Sequence, residues 1–225
     1  MKLDLWKSSI QNKYSQLLVT IIVLFLAGPV FSGTTGQIVI SAVFTSTIIT
    51  IIRTFNLKKR EFLLLLTLAG ISFSLDIHNS LRVNIVRNQA FVMAVETIYS
   101  LFILTALVTI NRKIFSEKKV SGDTIKGGIA VFFLIGIFWA LLYHMIHLLD
   151  PQAFSQPVGA TDFRDSMFYF SFTTLTTLGY GDIVPVSDFA RSLANLEAIV
   201  GVMYPAVYIA RVVGLYTAQE LSNHD

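Results

Sequence analysis

The residues with the most distinctive chemistry form one short string, Thr177-Leu178-Gly179-Tyr180-Gly181-Asp182. Glycine adopts positive φ at little cost, so Gly179 and Gly181 allow a backbone that alternates in handedness. Such a backbone turns successive carbonyl oxygens toward one axis, where they can replace the water shell of a cation without a fixed charge. The Thr177 hydroxyl would add one more oxygen at the inner end of this row.

The string follows a segment that predicts a short helix. Asp162–Thr177 is aromatic-rich and helix-compatible, and it lies within Asp150–Ser187, which is too short and too polar to cross a bilayer twice. A half-length helix followed by glycine-broken backbone is typical of a re-entrant loop, since non-helical backbone is tolerated at membrane depth only when protein or a water-filled path surrounds it.

The composition is that of an integral membrane protein. Of the 225 residues 54% are hydrophobic and only 14% are charged, and the mean hydropathy is +0.66. Gln37–Ile52 and Ile129–Tyr143 carry no charge at all, a pattern that a bilayer accepts and a soluble surface does not. Cysteine is absent from the sequence, which excludes disulfides and thiolate chemistry.

We therefore predict an all-α membrane protein of six transmembrane helices with the re-entrant helix and loop between the fifth and sixth. The predicted segments are 17–31, 37–55, 62–78, 90–110, 124–149 and 188–216. The basic cluster Arg112–Lys126 divides a four-helix N-terminal domain, 1–120, from a C-terminal domain, 121–225. Ser121, Asp123 or Thr124 would cap the fifth helix.

Basic residues predict the orientation. Twelve Lys and Arg residues lie before the first segment, between the second and third and between the fourth and fifth, whereas four lie on the other side. By the positive-inside rule both termini are cytoplasmic in a multi-pass protein of the cell membrane, and the stretch after Leu149 faces outward. A cleaved signal peptide within 1–33 is the alternative for the N-terminus, and it leaves this orientation unchanged.

With these elements in place, the sequence resembles the tetrameric potassium-channel pore family. The family signature Thr-x-x-Thr-x-Gly-Tyr-Gly is matched by Thr174, Thr177, Gly179, Tyr180 and Gly181, and the resemblance covers about 124–216. It implies a selectivity filter in which K+ is the permeant ion and the carbonyls of Thr177, Leu178, Gly179 and Tyr180 coordinate it. It also implies three further identical subunits in a lipid bilayer, with no other cofactor and no nucleic acid.

The resemblance also suggests residues that support the filter. Thr174 belongs to the signature, and Tyr169 lies where a hydrogen bond to Asp182 would brace the loop, although a tyrosine packed at the membrane interface is an equally good interpretation. Phe170 falls with Tyr169 at the family's aromatic cuff. Thr173 stands where some members carry a carboxylate.

The sixth segment predicts a gate. Gly201 weakens the helix and Pro205 removes a backbone hydrogen bond, so together they would form a hinge, or else a static kink. The gate itself is expected around Ile209–Val213. Glu197 is costly at this depth unless paired or hydrated, and Arg211 is interpreted as a side chain that reaches the inner surface.

Other classes of function lack support in the sequence. The fourth segment, 90–110, carries Glu96 but no Lys or Arg, which argues against a voltage sensor. His144 and His147 form one i, i+3 pair, for which packing is favoured over zinc binding, and no catalytic constellation is present, so an enzyme is not expected. Only about nine residues follow the sixth segment, so a cytoplasmic ligand domain is not expected after it. An unselective cation channel, a transporter subunit and a membrane scaffold are the alternatives.

Overall fold

The computed structural model describes residues 13–30, 89–155 and 163–224, together with the single positions 46, 67 and 70. Five helices lie in this part of the chain: α1 (Lys13–Val30), α2 (Gln89–Ser116), α3 (Gly122–Leu149), α4 (Phe163–Leu175) and α5 (Asp188–His224). An isolated β-bridge joins Phe154 to Pro185. The described residues thus form an all-helical protein, as predicted.

Three of these helices are long and apolar enough to cross a membrane. The candidate spans are Val92–Ser116, Gly122–Leu149 and Asp188–Leu221, and α1 contributes a shorter apolar stretch, Tyr14–Leu26. Helices are confirmed at the predicted first, fourth, fifth and sixth segments, the last of them eight residues longer than expected. The predicted second and third segments, 37–55 and 62–78, lie outside the described residues, so the count of six stays a prediction.

Side-chain caps define where two of the long helices begin. The Ser121 hydroxyl accepts a hydrogen bond from the backbone N–H of Thr124 at 3.1 Å, so Ser121 is the N-cap of α3. In the same way Ser187 accepts the N–H of Ala190 at 3.2 Å and caps α5. Each cap satisfies one of the N–H groups that the first turn of a helix leaves unpaired.

The chain packs as two compact units. The first comprises 1–91 and 121–130, and the second comprises 92–120 and 131–225. In the first unit, Ser15 accepts from the Lys126 ammonium at 3.1 Å and donates its backbone N–H to Asp123 at 3.2 Å. These packing units do not coincide with the domain boundary at 120/121 expected from the sequence. The division into an N-terminal and a C-terminal domain at that boundary stays a prediction.

In the second unit, α2 and α3 contribute a buried polar pair. Glu96 on α2 is 2% exposed, and its carboxylate lies 3.1 Å from Nδ1 of His144 on α3. Helix α2 also buries an apolar stripe at a spacing of three or four residues: Tyr99, Ile103, Ala106, Ile110 and Ile114. Glu96 therefore begins a buried face of α2.

The short helix α4 packs closely against α3 in this unit. A β-carbon on Gly136 of α3 would lie 2.7 Å from the Phe172 ring, so only glycine lets the ring approach this far. Phe170 of α4 packs edge-to-face against Tyr143 and Phe154, with ring centroids 5.0 and 5.4 Å away. Aromatic packing thus fixes α4, which is the element that leads into the glycine-containing loop.

Candidate functional site

Helix α4 ends in a Schellman motif, a pair of backbone hydrogen bonds that closes the last turn. The Thr173 carbonyl accepts the N–H of Leu178 at 2.8 Å, and the Thr174 carbonyl accepts the N–H of Thr177 at 2.9 Å. The N–H of Gly179 also points at Thr173, at 3.2 Å. Because two successive loop amides share one carbonyl, the end of α4 sets the start of the loop. No feature of the sequence indicated this role of Thr173.

The loop backbone alternates in handedness from residue to residue. Thr177, Gly179 and Gly181 have φ values of +59°, +50° and +81°, whereas Leu178 and Tyr180 between them stay in the ordinary region. Positive φ at both glycines is what their spacing predicts. Alternation of this kind turns successive carbonyls in the same direction and suits coordination of a cation.

Thr177 is the strained member of the loop. It occupies the left-handed position of the Schellman motif, where glycine is usual, and a side chain with a β-branch costs about 1–2 kcal/mol there. Strain of this kind at a single residue is typical of functional sites. The hydroxyl of Thr177 gives the position a chemical use that glycine would lack.

The whole loop is exposed in the single chain. Leu178 and Tyr180 are 58% and 69% exposed, although both are large and apolar or aromatic. A β-carbon on Gly179 or Gly181 would meet nothing within 4 Å, so their positive φ, rather than crowding, is what requires glycine.

Tyr169 and Asp182 lie together on either side of the loop. The Tyr169 hydroxyl donates a hydrogen bond to Asp182, and this bond raises the pKa of Tyr169 above its ordinary value, with partial desolvation and the charge of Asp182 acting in the same direction. The structure therefore brings together two of the residues that the sequence assigned to filter support.

The segment that follows the loop is attached to the segment that follows α3. Ser155 donates its N–H to the Val184 carbonyl at 2.9 Å, and its hydroxyl accepts the N–H of Val184 at 2.8 Å. The Ala153 carbonyl accepts the N–H of Val186 at 2.7 Å. Both ends of the loop are thus held, one by α4 and the other by this pairing.

Behind α4 lies a polar network that the sequence did not predict. Glu197 of α5 is completely buried, and the hydroxyls of Tyr143 and Ser171 each lie 2.6 Å from one of its carboxyl oxygens. Ser171 also donates to the Gly136 carbonyl at 2.8 Å. The sequence marked Glu197 as costly without a partner, and the partners come from α3 and α4.

The two residues assigned to a hinge lie within α5. Gly201 of α5 is buried against the end of α4. A β-carbon on Gly201 would lie only 1.9 Å from the Leu175 carbonyl oxygen, so the two helices can approach this closely only with glycine here. Pro205 is inside the helix, so the Gly201 carbonyl four residues earlier lacks its usual N–H donor. Close approach is therefore a second reason for glycine at this position, beside flexibility.

Arg211 has partners that the sequence did not predict. Its guanidinium donates hydrogen bonds to the carbonyls of Phe115 and Glu117, the second at 3.3 Å, and lies 5.5 Å from the Phe115 ring centre. A cation at the C-terminus of a helix satisfies its unpaired carbonyls and its dipole. Arg211 thus attaches the end of α2 to α5.

The histidines do not form a metal site in the described part of the chain. No group of three or more His, Asp or Glu side chains comes together among the residues at 13–30, 89–155 and 163–224. His144 instead faces Glu96. Oxygen atoms of the loop backbone are the better candidate ligands for a cation.

Comparison with known proteins agrees with this geometry. A family model described as "Ion channel" matches residues 130–218, which contain most of α3, all of α4 and the loop, and most of α5. Among curated proteins, the chain is 31% identical over 118 residues to the voltage-gated potassium channel Kch of Escherichia coli, covering 52% of this chain and 26% of that protein. It is 36% identical over 50 residues to the inward rectifier potassium channel Kirbac3.1 of Paramagnetospirillum magnetotacticum, covering 22% and 17%.

The match to a third relative covers a larger share of that relative's length. Protein LctB of Geobacillus stearothermophilus is 31% identical over 80 residues, which are 33% of this chain and 59% of that protein. The chain thus covers less than two thirds of the length of each of these relatives. No solved structure matches the chain significantly.

Proposed function

Because its residues 130–218 belong to the potassium-channel pore family, we propose that this protein is the subunit of a K+-selective channel. The resemblance predicted from Thr174–Gly181 is confirmed at the level of this family, and an ion channel rather than an enzyme is the class that it supports. Passive K+ conduction through a filter at Thr177–Gly181 is the finer proposal.

The observation that carries the proposal is the alternating backbone of Thr177–Gly181 at the end of a short helix. A carbonyl row replaces the hydration shell of a permeant cation without trapping it on a fixed charge. In our proposal the carbonyls of Thr177, Leu178, Gly179 and Tyr180 and the Thr177 hydroxyl face the ion. The strain at Thr177 supports a role for its hydroxyl.

One chain cannot enclose an ion with this loop, so we propose four identical subunits around one axis. The exposed side chains of Leu178 and Tyr180 would then be covered by neighbouring copies. α5 also exposes large apolar side chains on more than one face, which suits a helix placed between its own subunit, lipid and other subunits: Ile199, Val202, Met203, Val207, Ile209 and Val213.

In this arrangement α4 re-enters the membrane and α5 lines the inner part of the pathway. With 13 residues, α4 is about 20 Å long and reaches only part of the way across a bilayer. The inner ends of the four α5 helices, around Ile209–Val213, form the gate, and Gly201 and Pro205 supply the bend that opens it. Cytoplasmic termini and four N-terminal helices complete the proposed topology.

The experiment is ion flux from liposomes that contain the purified protein, with K+ and Na+ compared. Gly179→Ala tests the loop, because alanine at φ +50° is strained and disturbs the carbonyl row. Gly122→Ala is the matched control, since Gly122 has open space around it and lies at the start of α3.

We expect K+ flux well above Na+ flux in the wild type and in Gly122→Ala, and loss of K+ flux or of selectivity in Gly179→Ala. Equal K+ and Na+ flux in the wild type would instead indicate an unselective cation channel. A folded protein without flux would support a sensor or scaffold.

A further inference from the structure

Glu197 is a fully buried carboxyl group beside the short helix. Its side chain is fully enclosed, and Tyr143 of α3 donates a hydrogen bond to its Oε2 at 2.6 Å. Among the residues that the structure describes, no Lys, Arg or His lies within 4 Å of its carboxyl group to form a salt bridge. A buried carboxylate without a cation is expensive, above all at membrane depth.

The hydrogens in this network can be counted. The Ser171 hydroxyl has one hydrogen and two close oxygen partners, Glu197 Oε1 at 2.6 Å and the Gly136 carbonyl at 2.8 Å. A carbonyl only accepts, so the bond to Gly136 uses the hydrogen of Ser171. The bond between Ser171 and Glu197 then needs a hydrogen from Glu197.

Sharing of the Ser171 hydrogen between two acceptors would not give two contacts this short. Distances of 2.6 and 2.8 Å are those of full O–H···O bonds. A neutral carboxylic acid provides what is missing, since one of its oxygens donates and the other accepts. The chain of donors then runs from Tyr143 to Glu197, from Glu197 to Ser171 and from Ser171 to Gly136.

We propose that Glu197 is a positioning residue that acts as a neutral acid, and that its proton holds α4 in place between α3 and α5. The proton lets Ser171 direct its own hydrogen to Gly136, so the three helices share one hydrogen-bond chain. The effect on conduction rests on the proposed channel function, because α4 carries the loop at Thr177–Gly181.

Loss of the Glu197 proton turns the hydroxyl hydrogen of Ser171 from the Gly136 carbonyl toward Glu197. An ionised Glu197 attracts the Ser171 hydrogen, and the bond to the Gly136 carbonyl breaks, which releases α4 from α3. The groups that face Glu197 are Tyr143 from α3 and Ser171 from α4, of which only Tyr143 is ionisable. His144, next to Tyr143 on α3, is paired with Glu96 of α2.

Glu197→Gln is the informative variant, because an amide has the same donor and acceptor pattern as the neutral acid and has no proton to lose. Infrared spectra of the full-length protein at neutral pH, wild type minus Glu197→Gln, test the protonation directly. We expect the carbonyl band of a carboxylic acid, which Glu220→Gln, at an exposed site on the same helix, leaves in place. A pair of carboxylate bands in the difference spectrum would overturn the proposal.

K+ flux from liposomes tests the positioning role. We expect Glu197→Gln to conduct within about twofold of the wild type at neutral pH. As the pH is raised above neutral, the wild-type flux falls, up to about tenfold for each pH unit above the midpoint of the titration, while the flux of Glu197→Gln stays level. Parallel pH profiles, or a folded but inactive Glu197→Gln, would contradict the proposal.

The two measurements separate the two proposals. If the wild type conducts no K+ at any pH, the channel function fails, and the infrared spectra still decide whether Glu197 carries its proton. If the wild type conducts K+ and the spectra show a carboxylate, the channel function stands and the neutral acid is wrong.

Discussion

Gly201 of α5 packs against the carbonyl oxygen of Leu175 at the end of α4. A β-carbon added to Gly201 would lie only 1.9 Å from that oxygen. A contact this short with backbone is not relieved by rotation of a side chain. Gly201 thus lets α5 reach the last turn of α4, one turn from Glu197 and next to the start of the loop. Its position ties the sixth predicted segment to the loop through packing.

Gly201→Ala should therefore destabilise the protein. Overpacking costs about 1–3 kcal/mol, which exceeds the gain of up to about 1 kcal/mol from replacing glycine by alanine within a helix. Thermal unfolding of the purified protein measures the effect. Gly214→Ala is the control, because Gly214 lies in α5 with nothing within 4 Å, and we expect it to be neutral or stabilising. Unchanged stability of Gly201→Ala with altered gating would support a hinge alone.

Thr177→Gly should uncouple stability from conduction. Glycine relieves about 1–2 kcal/mol of strain at φ +59°, partly offset by about 1 kcal/mol of added chain entropy, so the melting temperature should not fall. Loss of the hydroxyl should lower K+ flux or selectivity. Thr177→Ser keeps the hydroxyl and should conduct like the wild type. A fully active Thr177→Gly would contradict a role for the hydroxyl.

Tyr169→Phe should remove one tyrosine whose hydroxyl ionises only above pH 10. The hydrogen bond to Asp182 raises the pKa of Tyr169 above its ordinary 10.0, so the proton is held more tightly in the folded state. The stabilising effect is complete below pH 10 and is lost as the pH rises through the raised pKa. The ultraviolet absorbance of tyrosinate, wild type minus Tyr169→Phe, should show a transition above pH 10. A transition at or below that pH would contradict the bond.

Pro205→Ala tests the proposed bend in α5. Alanine restores the N–H donor for the Gly201 carbonyl and should straighten or stiffen the helix, which changes the balance between open and closed states. Single-channel recording in planar bilayers measures the open probability. An unchanged gating equilibrium would indicate a static kink.

The chemistry of the loop could be predicted because it is local. Positive φ at Gly179 and Gly181 follows from their residue type and spacing, and the helices around the loop follow from long apolar runs. Positive φ at Thr177 could not be predicted in this way, because residue type argues against it. It became visible only with the hydrogen bonds that end α4.

The partners of Glu197 could not be predicted, since they come from distant parts of the chain. Ser171 and Tyr143 are 26 and 54 residues away, and the packing of α3, α4 and α5 brings them to one carboxyl group. Arg211 is a similar case, because its acceptors, Phe115 in the last turn of α2 and Glu117 just after that helix, are 96 and 94 residues earlier. The sequence indicated that Glu197 needs a partner, because a carboxyl group is costly to bury, but only the fold identifies which residues those partners are.

The central claim is that the backbone of Thr177–Gly181 selects K+. The most direct test is the reversal potential of the reconstituted protein in a planar bilayer with K+ on one side and Na+ on the other. Our account predicts a large shift toward the K+ equilibrium potential, preserved in Gly122→Ala and lost in Gly179→Ala. A reversal potential near zero for the wild type would contradict it.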